Sequence, residues 1–207
     1  MALVDLHLPL AQAALPGDVR AFLREAARRI DRLHLDHLLP AFVACDFVRV
    51  YAGLRAIIDS DQAPGQLFCE WGSGSGVVAC LAAMLGYDAA GIEIESELVE
   101  AAQQLADDFE LPVRFVHGSF LPPGGAALAR AAGPFEWLTP EDGAVDDELG
   151  LGPADYDVVF AYPWPDEERF VAQLFDRFAA PGAVLVTYHG VEELRLRRKQ
   201  ARRSARQ

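Results

Sequence analysis

From Gln66 to Gly190 the chain repeats one pattern, in which a short apolar run is followed by an amphipathic stretch of helical period. The runs QLFCEW, DAAGIEI, PVRFVHG, YDVVFAY and GAVLVTYHG predict strands, and GVVACLAAML, SELVEAAQQLADDF and DEERFVAQLFDRFA predict helices. Strands spaced in this way by helices predict right-handed βαβ units, and therefore a parallel sheet covered on both faces. Upstream, Val19, Phe22, Leu23, Ala26, Ile30 and Leu33 recur at helical spacing after Pro16-Gly17-Asp18, and residues 41–58 predict a second helix. The expected organisation is a helical cap over residues 1–60, a Rossmann-like α/β domain over 61–194 and a basic tail over 195–207. A chain of 207 residues that is 52% hydrophobic is long enough for one well-filled core. The connection from Leu121 to Asp155 is rich in Pro, Gly and acids, and its length predicts a lid or a binding element.

The first predicted strand runs into Glu70, then Gly72, Gly74 and Gly76, an acidic-x-Gly-x-Gly-x-Gly arrangement at a strand-to-helix turn. Residues without a Cβ allow a ligand to approach the backbone there. Dinucleotide sites use GxGxxG, with a pyrophosphate at the helix N-terminus. Here the third glycine falls one residue early and Val77 holds its place, while Glu70 would repel a pyrophosphate and attract an amino group. The second strand ends in Glu93, where a carboxyl group meets ribose hydroxyls, and the third ends in His117-Gly118-Ser119-Phe120.

In these three features residues 66–190 resemble the class I S-adenosylmethionine-dependent methyltransferases. The resemblance implies S-adenosyl-L-methionine as cofactor, with Gly72, Ser73, Gly74, Gly76 and Glu70 about its methionine part. It implies Glu93 on the ribose, Ile94 against the adenine, and Ser119 with Phe120 at the adenine contact, where the family usually has Asp. After the fourth strand the family carries its methyl-acceptor loop, often Asp/Asn-Pro-Pro-aromatic in enzymes acting on nitrogen. This chain reads Tyr162-Pro163-Trp164-Pro165, which keeps the prolines and the aromatic ring and replaces the polar acceptor. Candidate bases are Tyr162, Asp166, Glu167 and His189; Tyr162, Trp164, Asp166 and His189 are the expected catalytic set. Asp166 and Glu167 also suit the first turn of a helix, and Glu95 suits the start of another. Trp71 serves equally as core or cofactor wall, and Phe42, Phe47 and Tyr51 as pocket roof or ordinary core. The family closes its sheet with an antiparallel sixth and seventh strand. Only eighteen residues follow His189, mostly polar or basic, so that hairpin is expected to be missing and the sheet edge to be covered by the N-terminal helices, the tail or a second subunit.

The last thirteen residues hold seven Lys/Arg and no acid, so the formal net charge of −13 leaves −20 on residues 1–194. A body of that sign disfavours nucleic acid, except through the tail, and favours a small-molecule or cationic protein substrate such as lysine. Cys45, Cys69 and Cys80 form no CxxC pair, which predicts reduced thiols. His34 and His37 with Cys45 and Asp46 lack a metal-ligand spacing, so no metal is expected. With no signal-like N-terminus and no apolar run of membrane length, a cytoplasmic protein off the membrane is expected, with a homodimer as a candidate assembly. Two alternatives remain open: an NAD-dependent oxidoreductase, and a binding protein that keeps the methyltransferase fold without catalysis.

Overall fold

The structure, a computed structural model, describes residues 3–10, 14–35, 43–133, 145–190 and 193–201. Its elements in chain order are β1 (Leu3–Asp5), α1 (Gly17–Leu35), α2 (Phe47–Asp59), β2 (Leu67–Trp71), α3 (Val77–Met84), β3 (Asp88–Glu93) and α4 (Ser96–Asp108). They continue with β4 (Arg114–His117), α5 (Gly125–Ala132), α6 (Val145–Leu149), β5 (Val158–Ala161), α7 (Glu168–Phe178), β6 (Val184–His189) and β7 (Glu193–Lys199). One seven-stranded sheet has the order β1-β7-β6-β5-β2-β3-β4. The strands β6, β5, β2, β3 and β4 are parallel, as the alternation predicts.

Each central strand is apolar on both faces because each face is covered. Phe68, Val158, Phe160, Val184 and Val186 point into one core, with α1, α2, α3 and α4. Cys69, Trp71, Val159, Ala161 and Leu185 point into the other, with α5, α6 and α7. Helix α3 (VVACLAAM) has no polar face and is buried from Val77 to Ala82, whereas α7 turns Phe170, Val171, Leu174 and Phe175 inward and leaves charge outside. The chain runs from β2 outward to β4, then returns to β5 on the other side of β2. The carboxyl ends of β2 and β5 therefore flank the crevice of a doubly wound sheet.

The edge differs from expectation. The C-terminal hairpin is present: β7 pairs antiparallel with β6 from Val184↔Arg198 to His189↔Glu193, and β1 adds a further antiparallel strand. Residues 195–199, expected in a tail, thus belong to the sheet, and β7 and β1 cover the edge of β6. The strand reads as polar because it buries little: Leu196 and half-buried Leu194 turn into the core, while half-buried Arg197 and Arg198 donate to Thr187 Oγ1 and Gln62 Oε1. The expected connection 121–155 contains α5 and α6. Phe42 and His37 lie outside the described residues. No helix among the described residues is long and apolar enough to cross a membrane.

Candidate functional site

The glycine turn is built by hydrogen bonds from the end of β3. The Gly72 and Ser73 amides both donate to the Ile92 carbonyl at 2.9 Å, and Gly76 N–H closes a turn on Ser73 O at 2.8 Å. Gly72, Gly74 and Gly76 have φ of +71°, +53° and +74°. At Gly76 a Cβ would stand 2.5 Å from Phe115 Cζ and 2.6 Å from Ala102 Cβ, so this glycine serves packing. At Gly72 nothing lies within 4 Å, so the turn opens onto free space.

Two buried carboxyl groups hold this turn. Glu93, 8% exposed, accepts from Gly74 N at 2.7 Å on Oε2 and from Ile94 N at 2.8 Å and Glu95 N at 3.1 Å on Oε1. Glu70, 4% exposed, accepts from Ala79 N at 2.8 Å and so caps α3, whose own N-cap residue is Gly76 with no side chain to do so. Burial pushes the Glu70 carboxyl well above the usual carboxylate range; the Ala79 bond opposes this and the nearby Glu93 adds to it.

That raised value has a measurable sign. A group whose pKa is raised by folding holds a proton that the unfolded chain has released, so stability falls as pH climbs from about 4.3 toward the folded value. Glu70→Gln keeps an oxygen for the Ala79 amide and removes the titration. Thermal melts across pH 5–8 are expected to slope less in this variant than in wild type, the remaining slope including that of Glu167, which shifts in the same direction. A wild-type slope in the variant would rule Glu70 out as the group responsible.

The turn forms one wall of a cavity of about 500 Å³ at the carboxyl ends of the strands, within the size range of ligand sites. Its β2–β3–β4 end is lined by Glu70, Gly72 to Ser75, Glu93, Ile94, Ser119 and Phe120. Trp71 is both core and wall: 3% exposed, it stacks on Phe120 at 5.4 Å and 5° and meets Phe175 edge-on. The hydroxyls of Ser73 and Ser75 are buried here without a partner.

The opposite end is lined by Cys45, Phe47, Tyr162, Trp164, Glu167 and Glu168. Tyr162 is braced edge-on by Tyr188 at 5.0 Å. Burial raises the Cys45 thiol, which keeps it protonated and disfavours it as a nucleophile. Of the expected bases, Asp166 is exposed and does not line the cavity. His189 is 4% exposed and also lies off the cavity wall. The period of the strand turns it toward α7, where Nε2 lies 2.8 Å from Thr187 Oγ1 and Nδ1 lies 2.8 Å from Glu168 Oε1, without the alignment of a hydrogen bond. Glu167 takes the inward place instead. It precedes Phe170 and Val171 by three and four residues, so the helical spacing of α7 puts it on the buried face. Phe47 lines the cavity, whereas Tyr51 is core. Glu95 sits exposed at the N-cap of α4, at the cavity rim. No group of three His, Cys, Asp or Glu able to hold a metal occurs among the described residues.

No family model matches the chain, and no curated protein matches it in sequence. Solved structures do match it in fold. A methyltransferase from Geobacter sulfurreducens is 16% identical at a TM-score of 0.52, over 91% of this chain and 93% of that one. An RNA methyltransferase from Salinibacter ruber, in complex with S-adenosyl-L-homocysteine, is 16% identical at 0.50, over 76% and 94%. An O-methyltransferase from Bacillus cereus is 13% identical at 0.53, over 86% and 68%. Some longer matched chains are spanned only to 46–47%. The fold is that of the class I S-adenosylmethionine-dependent methyltransferases.

Proposed function

We propose that this chain is an S-adenosylmethionine-dependent methyltransferase acting on a small molecule or on a protein side chain such as lysine. The observation that carries the reading is the pair of unpartnered, buried hydroxyls, Ser73 and Ser75, on a glycine turn that opens into a cavity beside a carboxyl group at the end of the neighbouring strand. Buried polar atoms without partners are uncommon and ask for a ligand. These two fit the polar amino-acid end of the cofactor. The carboxyl group of Glu93 has about four acceptor sites and three are taken, which leaves Oε2 one for a ribose hydroxyl. The Trp71–Phe120 stack and Ile94 offer an apolar wall for the adenine.

When bound, the cofactor supplies a methyl group on a sulfonium. The chain's own contribution is alignment: Pro163 and Pro165 restrict the backbone beside the crevice, and Tyr162 and Trp164 present ring surface to an acceptor. Against a dinucleotide stands Glu70, whose carboxyl group takes the Ala79 amide in the first turn of α3, where a pyrophosphate would sit. Titration of the purified chain with S-adenosylmethionine and with NAD is expected to give saturable binding of the first alone. Incubation with methyl-labelled cofactor and a cell extract is expected to move the label and release S-adenosylhomocysteine. Binding without turnover would support the non-catalytic reading, and binding of NAD alone would overturn the assignment.

A further inference from the structure

The acceptor end of the cavity holds a carboxyl group that is tied to the Trp164 backbone and keeps one oxygen unengaged. Glu167 is 7% exposed, lines the cavity, and its Oε1 is buried without a hydrogen-bond partner. The other buried carboxyl groups of the cavity are engaged, Glu70 with α3 and Glu93 with three amides. Glu168 is turned to His189 and a third of its side chain is exposed. The carboxyl groups of the wall have no basic counterpart: Glu93, Glu95 and Glu168 line it with Glu70 and Glu167, whose protons burial holds more tightly, and no Lys, Arg or His occurs among the described lining residues. An anionic acceptor, such as a carboxylate or a phenolate, would face carboxyl groups with no cation to balance it, whereas an ammonium meets opposite charge and the rings of Trp164, Tyr162 and Phe47.

Resting on the methyltransferase reading above, we propose that the group methylated is a primary amine that enters as its cation, and that Glu167 is the catalytic residue that takes its proton. Oε1 of Glu167 accepts one proton from the alkylammonium. The freed lone pair on nitrogen forms the N–CH₃ bond, while the electron pair of the donor's S–CH₃ bond stays on sulfur. The products are a methylated ammonium and a neutral thioether; Glu167 then releases its proton to water. Burial raises the Glu167 carboxyl above its usual range, against an opposing hydrogen bond from the Trp164 backbone, which makes it a stronger base than an exposed carboxylate.

The test compares wild type, Glu167→Gln and Asp166→Asn for transfer of labelled methyl to n-butylamine, to a lysine-containing peptide and to a phenol, with cofactor affinity measured separately by calorimetry. Expected is transfer to an amine in wild type, with kcat at least about 100-fold lower in Glu167→Gln, a native circular dichroism spectrum and cofactor affinity within about twofold. Label in the peptide alone assigns a protein lysine, and label in n-butylamine assigns a small amine; either supports the shared chemistry. Cofactor binding without transfer to either amine, transfer to the phenol alone, or a wild-type kcat in Glu167→Gln with loss in Asp166→Asn overturns the proposal and leaves the methyltransferase reading standing. If wild type fails to bind the cofactor, both fall.

Discussion

Replacing Gly76 by alanine is expected to cost about 2–5 kcal/mol of folding stability, whereas the same change at Gly72, four residues earlier, costs only about 1–2. Both glycines have left-handed φ, +74° and +71°, and a Cβ there is disfavoured by roughly 1–2 kcal/mol. They differ in what surrounds them. At Gly76 the added atom would lie 2.5 and 2.7 Å from the Phe115 ring and 2.6 Å from Ala102 Cβ, inside the core between α3, α4 and β4. Forcing one extra carbon into such packing adds about 1–3 kcal/mol. At Gly72 nothing lies within 4 Å. For a domain of this size the Gly76→Ala melting temperature should drop by about 4–20 °C, read by circular dichroism. Phe115→Leu in the Gly76→Ala background should recover part of the loss, because it withdraws the ring atoms that the new Cβ meets. Equal losses at Gly72 and Gly76, or no recovery with Phe115→Leu, would show that the close approach of β4 to the turn is not what requires glycine.

The same ring explains a second glycine. At Gly91, in the middle of β3, a Cβ would meet Phe115 Cδ1 at 2.6 Å and Ser73 Cβ at 2.8 Å. The glycine turn, β3 and β4 are thus packed around one aromatic side chain, and this geometry brings the Ile92 carbonyl and the Glu93 carboxyl group under the amides of the turn.

What the sequence disclosed follows from how strongly each segment is buried. Strands β2 to β6 are apolar on both faces, so their runs stand out, and the acidic residue, the glycines and Glu93 fall at their ends, where a parallel sheet collects its ligand. The edge was illegible for the converse reason. Strand β1 is three residues long and largely exposed, and β7 alternates two leucines with arginines, a pattern that reads as a solvated basic end until a neighbouring strand is supplied. Helix α5 (GAALARAA) hid in the long connection because it is only eight residues long and opens on two glycines, Gly124 and Gly125. At the Tyr162–Glu168 end of the cavity, which of the candidate bases faces inward turned on side-chain direction. His189 shares its face of β6 with Leu185 and Thr187, and the two-residue period sends it to α7. Glu167 lay in plain sight in Asp166-Glu167-Glu168, but only the register of α7 distinguishes it from its neighbours.

Removing the carboxyl group of Glu93 is expected to weaken S-adenosylmethionine binding by about 1.5–3 kcal/mol, the scale of a hydrogen bond to a charged group, or about 10- to 150-fold in Kd. The loss has two sources that one substitution pair separates. The resemblance assigns Glu93 to the ribose, a direct contact. The geometry adds a second duty, since the same group accepts from the amides of Gly74, Ile94 and Glu95 and so fixes the turn against the start of α4. Glu93→Ala removes both and leaves three amides to find other partners. Glu93→Gln keeps one oxygen, enough for Ile94 and Glu95, and presents an NH₂ group to Gly74 N–H, which cannot accept. If the brace dominates, Glu93→Gln loses nearly as much affinity as Glu93→Ala, and hydrogen exchange at Gly74 quickens in both. If the direct contact dominates, adenine alone, which has no ribose, binds Glu93→Ala as well as it binds wild type. Wild-type affinity for the full cofactor in Glu93→Ala would contradict both duties, and with them the position of the nucleoside at the carboxyl ends of β2 and β3.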